Sequence, residues 1–330
     1  MDAQELAAKL ARAWRERLGS EVAIENMKPL TAGASASTWR LEAAGPHGAE
    51  PLVLQLYAGG ENFGFALNKA VQARVQSAAH RAGIPTPPVV LVVGPEDGLP
   101  EGFITPWLAG ETLGKKIAAD PALAAARKVL PAQCAQALAR IHGLEPADFP
   151  DLALRPADLQ LAELAGLHRG YGQCLPVFEA AIAWLRAHRP AEAAPRVVHG
   201  DFRNGNWIVD ASGLRAVLDW ELAHLGDPME DLGWLCMRSW RFGRDELAAG
   251  GIARRREFLA HYAAAAGAAP DPAAVRYWEI FAALKWGVIC QWFASQYLGG
   301  TVRELERAVI GRRVSETEAV LLDLLEGHGD

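Results

Sequence analysis

The chain reads as an α+β protein of two lobes, a strand-rich N-terminal lobe followed by a larger, mainly helical C-terminal lobe. Three observations predict this. From Val22 to about Ile104 the apolar residues fall into short runs of strand type. After Leu108 they recur at helical spacing through long segments. At 330 residues the chain also exceeds a single domain of about 150 residues. The shift of pattern places the boundary so that 1–107 forms the N-terminal lobe with a leading helix and 108–330 the C-terminal lobe.

Taken in order, Leu6, Leu10, Trp14 and Leu18 recur every four residues and put an apolar stripe on a first helix that docks on the body. The Gly/Ser/Ala-rich segment from Leu30 to Ala43 predicts strands around a turn. Residues Pro51 to Tyr57 alternate, with Leu52, Leu54 and Leu56 on one face and Val53, Gln55 and Tyr57 on the other. Phe65 to Ala82 predicts a helix stopped by Gly83 and Pro85, and PPVVLVV and EGFITPWL supply two more strands. Beyond the boundary, helices are expected near Ala122–His142, Leu159–Leu167, Phe178–His188 and Val275–Tyr297. The run Arg254, Arg255 and Arg256 is expected on a solvated helical face.

Composition removes several classes of function. With 51% hydrophobic and 22% charged residues the chain is globular rather than disordered. A net charge of −6 gives no general attraction to nucleic acid or to an anionic membrane. The four cysteines, Cys134, Cys174, Cys236 and Cys290, form neither a CxxC pair nor a cluster with histidine. No secretory signal and no uncharged apolar run of about 18 residues is present. These features imply a cytoplasmic protein with no nucleic-acid partner and no membrane contact, and they leave the oligomeric state open.

The densest chemistry lies between Val197 and Trp234. Trp207, Ile208 and Val209 read as a strand, Asp210 to Gly213 as a turn, and Leu214 to Leu218 as the returning strand. Such a hairpin would bring Asn206 and Asp219 to its open end, where an amide oxygen and a carboxylate suit magnesium. Asp201, five residues before Asn206, would then sit beside the metal and accept a substrate hydroxyl's proton. Asp227 and Asp231 are expected to cap backbone amides or to hold this segment. Trp207 and Trp220 are expected to pack, and Glu221 and His224 to join a polar network.

The segment His199, Gly200, Asp201 and Asn206, with Asp219, Asp227 and Asp231 after it, resembles the signature of the aminoglycoside phosphotransferase and choline kinase-like superfamily. Its end, LDWELAHLGDPMEDLGWL, is similar to a bacterial subgroup related to the kinase-like domains of some acyl-CoA dehydrogenase proteins. IPTPPVV, ARIHG, YWEIFAALKWGV and GRRVSETE extend the resemblance over roughly residues 25 to 320. It implies a protein-kinase-like two-lobed fold and magnesium-dependent transfer of the γ-phosphoryl group of ATP, or GTP, to a small-molecule hydroxyl. Asp201 would be the base, Asn206 and Asp219 the magnesium ligands, and His199 an organiser of the catalytic loop.

The resemblance also implies a nucleotide-covering loop between Leu30 and Arg40, with Gly33, Ser35 and Thr38 near the phosphates; read alone, the segment is equally an ordinary hairpin turn. The matching strand position that carries a phosphate-binding Lys or Arg is here Gln55, and the partner glutamate of the following helix is matched by Gln72. Gln55 and Gln72 would then form a matched neutral pair. Alternatively Lys69, Arg74 or Arg203 would replace the charge, or the chain would be a noncatalytic nucleotide- or ligand-binding pseudokinase. Arg203 has the alternative of an acid-paired loop arginine. The acceptor implied by the subgroup is a hydroxy acid or hydroxyacyl thioester, with an aminoglycoside or amino alcohol as the alternative.

Overall fold

The computed structural model describes residues 2–30, 36–46, 48–59 and 63–327. It has the α+β two-lobed architecture, with a strand-rich N-terminal sheet and a helical C-terminal region. Two compact units emerge, Met1–Gly110 with Arg215–Leu222, and Glu111–Leu214 with Ala223–Asp330.

The N-terminal unit begins with α1 (Ala3–Leu18), capped by the Asp2 side chain on the Glu5 amide. The strands β1 (Ala23–Leu30), β2 (Ala36–Gly45) and β3 (Gly48–Tyr57) follow, then α2 (Lys69–Arg81), β4 (Leu91–Val93) and β5 (Gly102–Pro106). The five strands form an antiparallel sheet of order β1-β2-β3-β5-β4. The alternation of β3 comes out as expected, because Leu52, Leu54 and Leu56 join Leu41, Ile104 and Leu91 in a core shared with Leu6, Leu10 and Trp14 of α1. Leu18 departs from its stripe and is 44% exposed, since α1 ends there at Gly19 in a left-handed cap. The second helix starts at Lys69, four residues later than its apolar pattern, because the Asn68 side chain caps the Val71 amide. Only Leu91–Val93 of PPVVLVV pairs as a strand.

The second unit contains α3 (Gly114–Ala119), α4 (Ala124–His142), α5 (Ala157–Gly170), α6 (Pro176–Ala187) and the short β6 (Arg196–Val198). The hairpin strands β7 (Trp207–Asp210) and β8 (Gly213–Val217) come next, β8 running on into the Arg215–Leu222 segment that packs with the N-terminal unit. β9 (His224–Gly226) pairs antiparallel with β6. The chain closes with α7 (Met229–Cys236), α8 (Arg255–Ala266), α9 (Pro272–Leu298), α10 (Leu305–Gly311) and α11 (Val314–Glu326). α9 is the central post: α5, α6, α7, α10 and α11 all pack on it, and its Trp278, Ile280, Ala283, Leu284 and Val288 are buried, which is why its sequence is apolar nearly all round. Of the three arginines near α8, Arg254 and Arg256 are exposed but Arg255 is not solvated, because it turns inward to Glu279 of α9 at 2.6 Å. No described helix is long and apolar enough to cross a membrane.

Candidate active site

The loop joining β6 to β7 carries His199, Asp201, Arg203 and Asn206. Its entry is shaped by Gly200, whose φ of 80° lies in the left-handed region that L side chains rarely adopt. Asp231 of α7 pins it, accepting the amides of His199 at 2.8 Å and Gly200 at 2.9 Å. The same carboxylate takes His142 Nε2 at 3.0 Å, and His142 Nδ1 meets the Tyr262 hydroxyl at 2.7 Å. A carboxylate only accepts, so His142 donates from Nε2 and its Nδ1 receives the phenol proton. Burial acts to raise the Asp231 carboxyl, but the hydrogen bonds it accepts from His142 and from the His199 amide outweigh it and hold Asp231 below the usual carboxylate range. Backbone held this way is prepositioned before any ligand arrives.

Asp201 is the most closely held side chain of the loop. Its Oδ1 accepts Trp234 Nε1 at 2.6 Å and Arg203 Nε at 2.9 Å, and its Oδ2 accepts Asn206 Nδ2 at 2.6 Å. Its own amide donates to His199 Nδ1 at 3.2 Å, which assigns the ring proton to Nε2. An ionised carboxylate offers about four acceptor sites, and these three donors leave one for a further hydroxyl. At 9% exposure the group is fixed but reachable. Around it, the Arg203 guanidinium lies 4.3 Å from the Trp240 ring centroid and Lys285 Nζ 4.9 Å from that of Trp234.

The Asn206 amide nitrogen is used twice on Asp201, at the carboxylate and at the backbone carbonyl (3.1 Å). The amide is thereby turned so that Oδ1 stands outside these bonds, as a hard-cation ligand requires. The hairpin begins one residue later, and its turn is stitched by Asp210 Oδ1, which accepts from the Ser212 amide and hydroxyl. Asp219, two residues beyond β8, is held at φ 66°, an uncommon conformation for a residue with a side chain. The described residues contain no group of three or more His, Cys, Asp or Glu able to hold a metal. Magnesium keeps waters and phosphate oxygens among its ligands and so needs few from a protein, and an amide oxygen such as Asn206 Oδ1 is of the type it takes.

In the N-terminal unit, Thr38 on β2 pairs with Gln55 on β3, and Gln55 pairs with Phe103 on β5, so the three share a face of the sheet. Gly33 and Ser35 lie outside the described residues. Lys69 Nζ reaches Gln72 Oε1 at 2.9 Å and Glu221 Oε2 at 3.5 Å. Trp220, fully buried, donates to the Thr86 hydroxyl at 3.1 Å.

The structure thus brings His199, Asp201, Arg203 and Asn206 together in one hydrogen-bonded loop. The acid that Arg203 pairs with is Asp201 itself. Asp227 caps the Met229 amide through Oδ1 and accepts Trp278 Nε1 through Oδ2, while Asp231 holds the loop. His224 binds Glu230 at 3.1 Å in a buried network with Gln160. Trp234 and Asn204 were not legible as functional residues. Trp234 sits three positions after Asp231, one helical turn along the same helix, and that spacing is the signal that would have found it. Asn204 is buried and ties the loop to the Gly114 and Gly250 carbonyls, contacts with no local trace.

The phosphotransferase enzyme family matches residues 26–308. Acyl-CoA dehydrogenase family member 10 of Mus musculus is 31% identical over 175 residues, covering 50% of this chain but only 16% of that protein. The chain therefore spans well under two thirds of the length of this relative. In fold it is similar to a candidate aminoglycoside phosphotransferase from Ralstonia eutropha, with a TM-score of 0.75, 20% identity and 98% of each chain covered. It is also similar to a choline/ethanolamine kinase family protein from Mesorhizobium loti, with a TM-score of 0.65 and 19% identity, over 99% of this chain and 95% of that one. The hydrogen-bonded loop around Asp201 lies well inside the matched residues, and on the extent of that match the chain belongs to the phosphotransferase enzyme family.

Proposed function

We propose that the chain transfers the γ-phosphoryl group of ATP, or GTP, to a hydroxyl of a small molecule, with Asp201 as the base. The carrying observation is the Asp201 carboxylate, aimed by Trp234, Arg203 and Asn206 and retaining one acceptor site. A substrate hydroxyl donating to that site is oriented for in-line attack. As its oxygen bonds to phosphorus and the bond to the β-phosphate oxygen breaks, the proton passes to Asp201. Arg203 and Trp234 keep the carboxylate from swinging. His199 fixes the backbone through which Asp201 is presented. Asn206 Oδ1 and the Asp219 carboxylate are the proposed magnesium ligands, and the ion when bound would neutralise phosphate charge. Thr38 and Gln55, with Gly33 and Ser35, are proposed to line the nucleotide side. The reading includes a cytoplasmic setting.

Two acceptor readings have support. The names of the two solved relatives favour an amino sugar or amino alcohol. Arg203, bonded to Asp201, and Lys285, over the ring of Trp234 that also bonds Asp201, favour an anionic acceptor such as a hydroxy acid or hydroxyacyl thioester. The test is a transfer assay with Mg·ATP and Mg·GTP against panels of both kinds, beside nucleotide titration. Phosphorylated product that disappears in Asp201→Asn while nucleotide binding persists supports the proposal. Nucleotide binding with no transfer to any acceptor would make the chain a pseudokinase.

A further inference from the structure

The N-terminal unit contains a lysine in a place where elementary rules disfavour one. Lys69 is the first residue of α2, at the positive end of the helix dipole, and no acidic residue stands in that first turn. It is nonetheless only 5% exposed. Its ammonium carries three protons, and the described residues give it two acceptors, the neutral Gln72 amide at 2.9 Å and Glu221 at the long distance of 3.5 Å. A buried cation so thinly compensated is unfavourable unless another anion completes its shell.

The surroundings indicate which anion. α2 packs on β5, and Phe103 of β5, on the Gln55 face, is fully buried although the core beneath α1 takes its neighbour Ile104 on the opposite face. α2 therefore covers the face of the sheet that carries Thr38 and Gln55. The link into α2 is tied to the segment following Asp219, since Leu67 N donates to the Glu221 carbonyl at 2.7 Å and Lys69 reaches the Glu221 side chain. Gln55 is neutral, so β3 offers an anion no charge at this position, whereas the adjoining helix does.

We infer that Lys69, presented from α2, is the cation that holds the nucleotide phosphates in this chain, with Gln72 and Glu221 keeping it in place until they arrive. This rests on the nucleotide-dependent reading above. Phosphate oxygens replace the long Glu221 contact and give the ammonium its missing acceptor. Strand and helix have exchanged roles: an amide on β3 and the positive charge on α2.

The experiment titrates Mg·ATP and adenosine by calorimetry into the full chain, Lys69→Gln, Gln55→Lys and the double variant. Lys69→Gln should weaken Mg·ATP binding by about tenfold or more, the loss expected for one charge-assisted bond, and leave adenosine binding within about twofold. Gln55→Lys added to Lys69→Gln should restore most of the affinity, a rescue that a merely structural lysine would not permit. Unchanged Mg·ATP affinity in Lys69→Gln, an equal loss for adenosine, or absence of rescue would overturn the assignment. Should Lys69→Gln melt before titration, the unaltered protein is treated with an adenosine bearing a 5′ sulfonyl fluoride and peptide-mapped. Modification of Lys69 that Mg·ATP blocks supports the inference; modification elsewhere, or none, overturns it. Failure of the unaltered chain to bind Mg·ATP would sink the nucleotide reading and this inference together, whereas binding that ignores Lys69 sinks the lysine alone.

Discussion

The His199–Asn206 loop and the β3–α2 pair solve the same electrostatic problem in opposite ways. The loop is held by many short bonds: Asp201 accepts three donors and keeps one acceptor site, and Asp231 of α7, which pins the loop, accepts three. On α2, Lys69 is buried with, among the described residues, one good partner and one long one. A densely bonded network is rigid and costly to break, because each deletion strands a buried partner. An under-coordinated ion is tolerable where a ligand is to complete it. The contrast teaches that the Asp201 loop is prepositioned by the protein alone, whereas the proposed cation site is left for its ligand to complete.

The sharpest way to break this comparison is at Asp201. Asp201→Asn keeps the side chain's shape and removes the proposed base, so turnover should fall about 10²- to 10⁴-fold while Mg·ATP affinity, measured by calorimetry, stays within about twofold. Loss of both together would mean the loop is not separable from nucleotide binding.

Next in size is Asp231→Ala. It strands the buried amides of His199 and Gly200 together with His142, and should cost about 3–5 kcal/mol in urea unfolding. Because the folded Asp231 carboxyl lies below its usual value, its stabilisation is complete above the unfolded carboxylate range near pH 4 and drains away as pH falls through the depressed folded value. Asp231→Asn should therefore flatten the acid limb of the stability curve. An acid limb unaltered in slope would assign acid sensitivity elsewhere.

Trp234→Phe sharpens the comparison by removing only a donor to Asp201. Loss of a hydrogen bond to a charged group is worth about 1.5–3 kcal/mol, so kcat should drop about tenfold or more with little change in the nucleotide KM. Smallest is Asp227→Asn. Burial raises the Asp227 carboxyl above its ordinary value despite the Trp278 and Met229 hydrogen bonds. A raised acid is a liability at neutral pH that fades as the medium becomes more acidic, the reverse of Asp231. Asparagine removes the buried charge but has a single acceptor oxygen, so it keeps one of the two bonds and loses the other. The two effects oppose, so melting at pH 7 should move by only a few degrees; a larger drop would show that the second accepted bond outweighs relief of the buried charge at this cap.

Much of the fold was legible because it is written in local periodicity. The alternation of Leu52, Leu54 and Leu56 and the apolar density of Val275–Tyr297 each came out as a buried strand face and a buried helix. Local patterns failed where a single polar contact decides. Asn68 delays the start of α2, and Arg255 leaves the solvated face for Glu279, 24 residues downstream. In the candidate site, the loop from His199 to Asn206 is contiguous and its residue types declare their chemistry. What holds it comes from far along the chain: Asp231 from α7, His142 from α4, and Asn204's carbonyl partners from Gly114 and Gly250. Lys69 could be named as one of several cations, but its burial and its two partners depend on tertiary packing that no spacing rule reveals.

The left-handed backbone at Asp219 has a practical consequence. Glycine would adopt that conformation without the penalty of a β-carbon, of order 1 kcal/mol. A laboratory selecting variants of this chain solely for heat resistance would be steered towards Asp219→Gly, and would harvest a hardier protein stripped of one proposed grip on its metal. On the proposed metal role of Asp219, durability and turnover pull against each other at this residue, so any screen that scores one should also score the other.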